Sequence, residues 1–239
     1  MKIGIVCAVD RELKPFLPCI QNCKATNKAM LTFYEGTIND MSIVALSSGV
    51  CKTNAAIAAQ ILIDTYRVDI VINAGTAGGM NNDLDVLDTV ISTKVAYHDI
   101  PENILEGSHP WLKSKYFKAD ETLIALSRKA VKHLHFINSV HYGMMVTGER
   151  FIDGDGRDEI VSVYNPLSVD METASIAHVC FANNIPFIAV RTVTDTAVNS
   201  GIDNYDKNCA AASFISKKVV VRLLMEIKKH KEDTDGNFD

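Results

Sequence analysis

The chain has 239 residues, of which 47% are hydrophobic and 22% charged, as in an ordinary globular protein. This length suits one α/β domain or at most two small ones, and no apolar run is long enough to predict a membrane span. The net charge of −5 argues against nucleic acid or an anionic membrane as the partner, because both require a basic face.

The six cysteines form no strong metal-binding pattern. Cys19 and Cys23 are four residues apart, but no second pair and no His-x-x-x-His follows, so a zinc site is poorly supported. The first residues lack the small-residue cleavage site of a signal peptide. We therefore expect a protein of the reducing cytoplasm.

Strand-like and helix-like patterns alternate along the chain. Continuous runs rich in Val and Ile are typical of strands covered on both faces, and apolar residues three or four apart indicate helices. In chain order, the sequence predicts strands at 2–9 and 42–49, a helix at 51–66, strands at 69–75 and 88–97, a helix at 120–134, strands at 141–148 and 168–172, a helix at 171–184, a strand at 186–194 and a helix at 208–230. We expect a single three-layer α/β/α domain over residues 1–230, with a central mixed twisted sheet and a polar tail at 231–239.

Residues 98–118 interrupt this alternation. The segment contains Pro101, Pro110, the single tryptophan Trp111 and Tyr116. Because long loops with exposed aromatics in compact domains frequently bind ligands or other subunits, we expect a binding loop or a subunit contact here.

A glycine-rich stretch, INAGTAGGM at 72–80, follows a predicted strand. A dinucleotide site would need G-x-G-x-x-G at the start of a helix, whereas the spacing here is G-x-x-G-G. Two interpretations remain open. The glycines form a tight turn after the strand, or they form a cradle in which backbone N–H groups and Thr76 contact a small ligand.

Several ionisable residues lie in stretches that are otherwise apolar. Asp170 and Glu172 flank Met171, and Arg191 and Asp195 share one predicted strand. Buried charges are unfavourable unless they are paired or take part in function. Asp170 suits a helix start, and strand alternation puts Arg191 on the same face as Asp195, as in a structural ion pair. Asp195 also ends its strand, where open α/β sheets bind ligands.

Two further positions are ambiguous from the residues alone. Glu12 follows the first strand, where it could be an ordinary acid at a helix start. Phe151 follows the polar residues Gly-Glu-Arg, where it suits either the core or a stacking platform beside a site. The patterns therefore predict acids at strand ends and a glycine-rich stretch, without naming a reaction.

Eight stretches together resemble one family, the 5′-methylthioadenosine/S-adenosylhomocysteine nucleosidases of the nucleoside phosphorylase superfamily. They are IGIVCAVDREL, SSGVCKTNAA, DIVINAGTAGGM, YHDI, FKAD, VTGERFI, VDMETASIAHVC and VRTVTD. The resemblance covers about residues 1–227 and implies the nucleoside phosphorylase-like fold. It also implies hydrolysis of the N-glycosidic bond of 5′-thio-substituted adenosines, which releases adenine in methionine salvage and in the recycling of S-adenosylmethionine by-products.

The resemblance assigns roles to the charged residues. Asp195 would protonate N7 of the purine as general acid, and an apolar setting would raise its pKa. Glu172 would accept the ribose hydroxyls and stabilise an oxocarbenium-like transition state. Glu12 would position or deprotonate the attacking water, and Arg191 would orient Glu172 or that water. No metal or organic cofactor is implied.

The resemblance also implies a pocket for a small adenine nucleoside. Met171 would pack against the ribose, Phe151 would stack on adenine, and the backbone of Ile152 would read the adenine edge. The remaining pocket residues would be Val9, Val50, Thr76, Ala77, Gly78, Asp170, Thr194 and Tyr205, the last of these on the 5′ side. In the family, the segment equivalent to 98–118 helps to form a homodimer and to cover the 5′ substituent.

Five positions depart from the family pattern. Asp170 replaces the usual Glu, Val9 the usual Met and Cys51 a common Gly. Thr76 and Thr194 stand where serines are usual. Because these changes reshape the pocket slightly, the preferred 5′ substituent stays open.

Other functions remain open at this stage. A purine nucleoside phosphorylase would need cations around inorganic phosphate, and few stand near Glu12 or the glycines. A futalosine-type nucleosidase would differ only in the ribose substituent. A non-catalytic nucleoside-binding protein would keep the fold without turnover, and an NAD-dependent oxidoreductase would need the dinucleotide pattern that is missing.

Overall fold

The computed structural model of the protein describes residues 1–108, 111–135 and 138–235. The strands in this part of the chain are β1 (Lys2–Cys7), β2 (Gln21–Lys28), β3 (Leu31–Ile38), β4 (Met41–Ser47), β5 (Ile70–Gly79), β6 (Thr89–Tyr97), β7 (Phe117–Lys118), β8 (Val140–Thr147), β9 (Ser168–Asp170) and β10 (Phe187–Asp195). The helices are α1 (Asp10–Leu13), α2 (Lys52–Tyr66), α3 (Glu102–Ser108), α4 (Glu121–Lys132), α5 (Arg157–Tyr164), α6 (Thr173–Ala182) and α7 (Ile202–Asp235).

The strands form one mixed sheet with β5 at its centre. β10 runs parallel to β5 on one side, while β1 runs parallel to it on the other and the short β9 pairs antiparallel with its end. The order β10-β6-β8-β9-β5 closes on itself because β10 also pairs with β5, and β1, β4, β3 and β2 extend outward from β5. The closed part brings the ends of β5, β9 and β10 together.

Helices cover both faces of the sheet. Helices α1, α4 and α7 pack on one face, and α2 and α6 on the other. Along β10, Ile188 and Val190 belong to the core under the first group, whereas Ala189 and Val193 belong to the core under the second. A strand buried on both faces explains the continuous apolar run, and the expected α/β fold with a central mixed sheet is confirmed. Among the described residues, none of the helices combines the length and the apolar character that a membrane-spanning helix needs.

The hairpin of β2 and β3 is absent from the predicted elements. β2 is polar and almost entirely exposed, so it lacks the alternation that predicts a strand. The connecting residues, Ala29 and Met30, both have positive φ, 50° and 63°, without the Asn-Gly or Asp-Gly that usually indicates such a turn. Local sequence therefore carried little signal for this edge of the sheet.

Other segments also differ from the sequence prediction, including α5, which no pattern predicted. Residues 98–118 contain α3 and β7 rather than one long loop, with residues 109–110 outside the described part of the chain. The glycines at 75–79 lie inside β5, so the predicted turn is wrong. Helix α7 begins at Ile202 and continues to Asp235, into the stretch predicted as a tail, of which residues 236–239 lie outside the described residues.

Candidate active site

A cavity of about 300 Å³ opens where β5, β9 and β10 end beside α1 and the start of α7. Its lining consists of Ala8, Val9, Glu12, Val50, Thr76, Ala77, Gly78, Phe151, Val169, Asp170, Met171, Glu172, Thr194, Asp195, Ile202 and Tyr205. Every pocket or catalytic residue predicted from the sequence is in this set except Ile152 and Arg191. The structure therefore brings together residues that are spread from position 9 to position 205.

The two exceptions lie beside the cavity. The Ile152 side chain is buried in a small cluster with Met80, Val146 and Val169. The predicted role of Ile152 concerned its backbone and stays a prediction. Arg191 lies behind the cavity wall with 1% of its surface exposed.

Arg191 connects the acids of the site. Its Nε donates to Asp170 Oδ2 at 3.0 Å, and its Nη2 donates to Glu172 Oε2 at 2.8 Å. Its Nη1 lies 3.9 Å from Glu12 Oε1 and has no hydrogen-bond partner among the residues that the structure describes. Burial would lower the pKa of the guanidinium, but Asp170, Glu12 and Glu172 together raise it, so Arg191 stays charged. The interpretation of an Arg191–Asp195 ion pair is therefore wrong.

Asp170 holds the start of α6 in place. Its Oδ1 accepts hydrogen bonds from Thr147 Oγ1 at 2.7 Å and from the backbone N–H groups of Glu172 and Thr173 at 3.2 and 3.0 Å. Its Oδ2 accepts from Arg191 and from the Thr173 hydroxyl. The helix-start interpretation of Asp170 is thus correct, and protein donors already occupy both carboxylate oxygens.

Glu172 faces the cavity from the N-cap position of α6 and is 3% exposed. Its Oε1 accepts from the backbone N–H of Cys51 at 3.0 Å, and its Oε2 accepts from Arg191. Burial raises the pKa of Glu172 to about 7 although Arg191 opposes the rise. A carboxyl group with a pKa so far above its ordinary value is typical of functional sites.

Glu12 is fixed by four hydrogen bonds. Oε1 accepts from the backbone N–H and from the hydroxyl of Thr76, each at 2.7 Å. Oε2 accepts from the backbone N–H groups of Ala8 at 2.7 Å and Val9 at 3.3 Å. A Cβ atom added to Gly75 would lie 2.5 Å from Glu12 Oε1, so the glycine at this position leaves space for the carboxylate.

Asp195 lines the same cavity from the end of β10. Thr194 Oγ1 donates to Asp195 Oδ1 at 2.8 Å, and Asp195 is 3% exposed. Burial raises the pKa of the Asp195 carboxyl, while the hydrogen bond from Thr194 opposes this rise. Gly78 on β5 leaves space for the Asp195 carboxylate, because a Cβ atom at position 78 would lie 3.2 Å from Asp195 Oδ2.

Aromatic and aliphatic side chains form the mouth of the cavity. Phe151 and Tyr205 meet edge to face with ring centroids 6.2 Å apart. Val50, Phe151 and Ile202 are 40%, 39% and 55% exposed, whereas the acids behind them are buried. The cavity thus has an apolar entrance and an acidic interior.

Some residues of the site were not predicted. Ala8, Val169 and Ile202 line the cavity, and Thr147 and Thr173 support Asp170 from behind. Ala8, Val169 and Ile202 reach the cavity because of how distant segments meet in the fold. Local sequence contains no pattern that would predict such a meeting. Thr147 lies within the predicted strand 141–148, and Thr173 directly follows the sequence VDME. A hydroxyl in an apolar strand and a hydroxyl beside acids were therefore usable signals.

Comparisons with known proteins agree with this geometry. The model of the phosphorylase superfamily matches residues 2–224. The 5′-methylthioadenosine/S-adenosylhomocysteine nucleosidase of Oceanobacillus iheyensis is 34% identical over 95% of this chain and 100% of its own length. The corresponding nucleosidase of Neisseria meningitidis, in complex with methylthio-immucillin-A, has a TM-score of 0.87 at 30% identity over 93% of this chain and 98% of that chain. The one of Colwellia psychrerythraea, in complex with adenine, has a TM-score of 0.88 at 28% identity over 95% of each chain.

Proposed function

Because the chain belongs to the phosphorylase superfamily and, within it, to the 5′-methylthioadenosine/S-adenosylhomocysteine nucleosidases, we propose that it hydrolyses the N-glycosidic bond of 5′-thio-substituted adenosines. The products are adenine and the corresponding thioribose. The ligands in the N. meningitidis and C. psychrerythraea structures support an adenine nucleoside as the substrate.

The charges of the cavity lining decide whether the nucleophile is water or inorganic phosphate. Within the described part of the chain, the lining residues include four acids and no lysine, arginine or histidine. Arg191 is committed to Asp170 and Glu172, and its remaining nitrogen faces Glu12. Inorganic phosphate needs cationic partners, and it would be repelled by these carboxylates. Neutral water is the nucleophile that fits.

The reaction divides among three acids. As the C1′–N9 bond breaks, its electron pair moves into the purine, and Asp195 delivers a proton to N7 so that adenine leaves neutral. Glu172 accepts the ribose hydroxyls and offsets the positive charge that develops on the sugar. Glu12 orients the water, takes its proton and leaves its oxygen bonded to C1′.

The raised pKa of Asp195 supports its role as the proton donor. An acid catalyst must hold a proton near neutral pH, and burial among apolar groups favours the neutral form of a carboxyl. Phe151 at the mouth offers a ring on which adenine stacks, and Met171 offers an apolar surface for the ribose. Arg191 acts through Glu172, because it does not reach the cavity lining itself.

Asp195→Asn tests this assignment. Asn keeps the size and the hydrogen bond from Thr194 but has no proton to transfer, so we expect kcat to fall by at least about 100-fold while Kd for 5′-methylthioadenosine changes by a few-fold. Asp203→Asn, at an exposed acid on α7, serves as the control and should keep wild-type kcat. Wild-type turnover in Asp195→Asn would refute the general-acid assignment.

We propose further that the protein is a homodimer. Helices α2 and α6 pack side by side and leave Ile57 and Phe181 45% and 49% exposed, and Trp111 is 71% exposed. Large exposed apolar side chains of this kind are typical of interfaces. Sedimentation equilibrium should give twice the mass of one chain, and Ile57→Asp should lower it. A single-chain mass for the wild type contradicts the proposal.

A cytoplasmic location is part of the same proposal. Cys7, Cys19, Cys23, Cys51, Cys180 and Cys209 are free thiols, as is usual in reducing compartments. Cell fractionation that recovers the protein outside the cytoplasm would contradict it.

A further inference from the structure

A buried hydroxyl on α7 connects β5 to β10 behind the cavity. Ser216 is fully buried, and its Oγ accepts a hydrogen bond from the backbone N–H of Gly75 at 3.0 Å. The same hydroxyl donates to the backbone carbonyl of Val190 at 2.9 Å. The cavity lining includes none of these three residues, so any effect of Ser216 on the reaction must pass through other groups.

The two backbone groups that this hydroxyl joins stand one residue before groups of the site. Gly75 precedes Thr76, whose backbone N–H and hydroxyl both donate to Glu12 Oε1 at 2.7 Å. Val190 precedes Arg191, whose Nη1 lies 3.9 Å from the same carboxylate oxygen. Gly75 and Arg191 are also partners in the register of β5 with β10. One hydroxyl therefore holds both strands at the point where they meet Glu12.

The backbone at Gly75 packs closely against the Glu12 carboxylate. A Cβ atom added at this position would lie 2.5 Å from Glu12 Oε1 and 2.6 Å from Oε2. A buried backbone N–H group that loses its acceptor is unfavourable, so removal of the Ser216 hydroxyl would favour a shift of β5. Because Thr76 is the next residue of that strand, Glu12 would move with it.

We infer that Ser216 is a positioning residue for the attacking water, acting through Glu12. The inference rests on the proposed function, in which Glu12 orients and deprotonates that water. The nucleoside itself is held by groups that Ser216 does not contact, such as Phe151, Met171 and Glu172. Loss of the hydroxyl should therefore lower kcat and leave KM nearly unchanged.

A second buried serine on the same helix provides a matched control. Ser213 lies about one turn before Ser216 and is 1% exposed. Its Oγ donates to the carbonyl of Cys209 at 2.6 Å, within α7 itself. Ser213→Ala therefore removes a buried hydroxyl without freeing a backbone group of β5 or β10, which separates loss of the bridge from loss of a buried hydroxyl.

We expect kcat for 5′-methylthioadenosine to fall by about 10- to 100-fold in Ser216→Ala, with KM changed by less than about threefold. In Ser213→Ala, kcat should stay within about twofold of the wild type. Ser216→Cys keeps a weak donor and acceptor, so its kcat should lie between those of the wild type and Ser216→Ala. If Ser216→Ala does not fold, Ser216→Cys takes its place in every comparison.

A double-mutant cycle with Glu12→Gln tests whether Ser216 acts through Glu12. In the Glu12→Gln background, Ser216→Ala should lower kcat by less than about twofold, because no base remains to be displaced. Equal fold losses in both backgrounds, equal losses in Ser216→Ala and Ser213→Ala, or a loss confined to KM would overturn the inference. A wild type that releases no adenine would instead refute the proposed function, on which the inference rests.

Discussion

At the scale of single residues, the site depends on carboxylates held where water is scarce. Glu12, Glu172 and Asp195 are each at most 3% exposed, and the buried cation Arg191 offsets the charges of Glu12 and Glu172. At Glu172 and Asp195, this burial raises the pKa of the carboxyl group, which is typical of functional sites. Stability and activity therefore oppose each other at these positions.

The cost of burying Glu172 can be measured from the pH dependence of the free energy of unfolding. Its folded-state pKa of about 7 lies above the ordinary value of 4.5, so between these two pH values the folded protein binds a proton that the unfolded chain releases. Raising the pH through this window therefore destabilises the wild type, whereas Gln at position 172 does not titrate. We expect the stability of Glu172→Gln relative to the wild type to rise by on the order of 2 to 3 kcal/mol from pH 4.5 to 7, measured by urea unfolding. A pH-independent difference would contradict the assignment.

Gly75 tests the geometry of Glu12. Because a Cβ atom at this position would lie 2.5 Å from the carboxylate, Gly75→Ala must displace Glu12 from its four donors. Displacement of a catalytic group by about 1 Å lowers rates by about 100-fold, so we expect a loss of this size in kcat/KM. Gly107→Ala is the matched control, since nothing lies within 4 Å of the Cβ atom added there. Wild-type activity in Gly75→Ala would show that Glu12 need not keep its position.

At the scale of elements, the start of α2 is clamped to the segments that follow β6 and β8. Lys52 Nζ contacts both oxygens of Asp99 at 2.9 and 2.8 Å, and Asp99 Oδ2 also accepts from the backbone N–H of Glu149 at 2.9 Å. Cys51, the neighbour of Lys52, has a φ of 84° and donates to Glu172. The clamp therefore helps to hold the N–H group that orients Glu172.

Asp99→Asn should loosen this clamp. Burial opposes the ionised form of Asp99, but Lys52 and the Glu149 N–H outweigh it and lower its pKa. A group whose pKa is lower in the folded state stabilises the fold at pH values above its unfolded-state pKa. This stabilisation is lost as the pH falls through the folded-state pKa. We expect Asp99→Asn to lose about 1 kcal/mol at pH 7 and less near pH 3.

The exposed pair Lys228–Asp40 provides the comparison for Asp99. Asp40 is 82% exposed, so Asp40→Asn should leave the free energy of unfolding almost unchanged. Chemical denaturation of both variants at pH 7 and pH 3 measures the difference. Equal losses in the two variants would show that the Asp99 clamp is an ordinary surface ion pair.

Particular elements show how far sequence could predict the fold and the site. Continuous apolar runs predicted β1, β5 and β10 because strands buried on both faces need apolar residues at every position. The partner of Arg191 was not predictable from strand alternation, because the pairing of β10 with β5 is irregular between Val193 and Asp195. The acids were found as charges in apolar stretches, but their roles came from resemblance to a family.

At the scale of the whole molecule, strand closure creates the site. Because β10 pairs with both β5 and β6, the strand ends that carry Thr76, Asp170 and Asp195 converge on one cavity. Helix α1 brings Glu12 to the same place from the beginning of the chain. Long-range pairing of this kind is set by packing of the complete fold, and for this reason no local pattern predicted it.

The central claim is that this cavity uses water to release adenine from 5′-thioadenosines. The most direct test is release of the purine base from 5′-methylthioadenosine, S-adenosylhomocysteine, 5′-deoxyadenosine, inosine and an aminofutalosine analogue, each with and without inorganic phosphate. The base is hypoxanthine for inosine and adenine for the other four. We predict release from the two thioadenosines at the same rate in both buffers, with free methylthioribose as the second product from 5′-methylthioadenosine. Release only with phosphate, together with a ribose 1-phosphate product, would show a phosphorylase and contradict the role of Glu12.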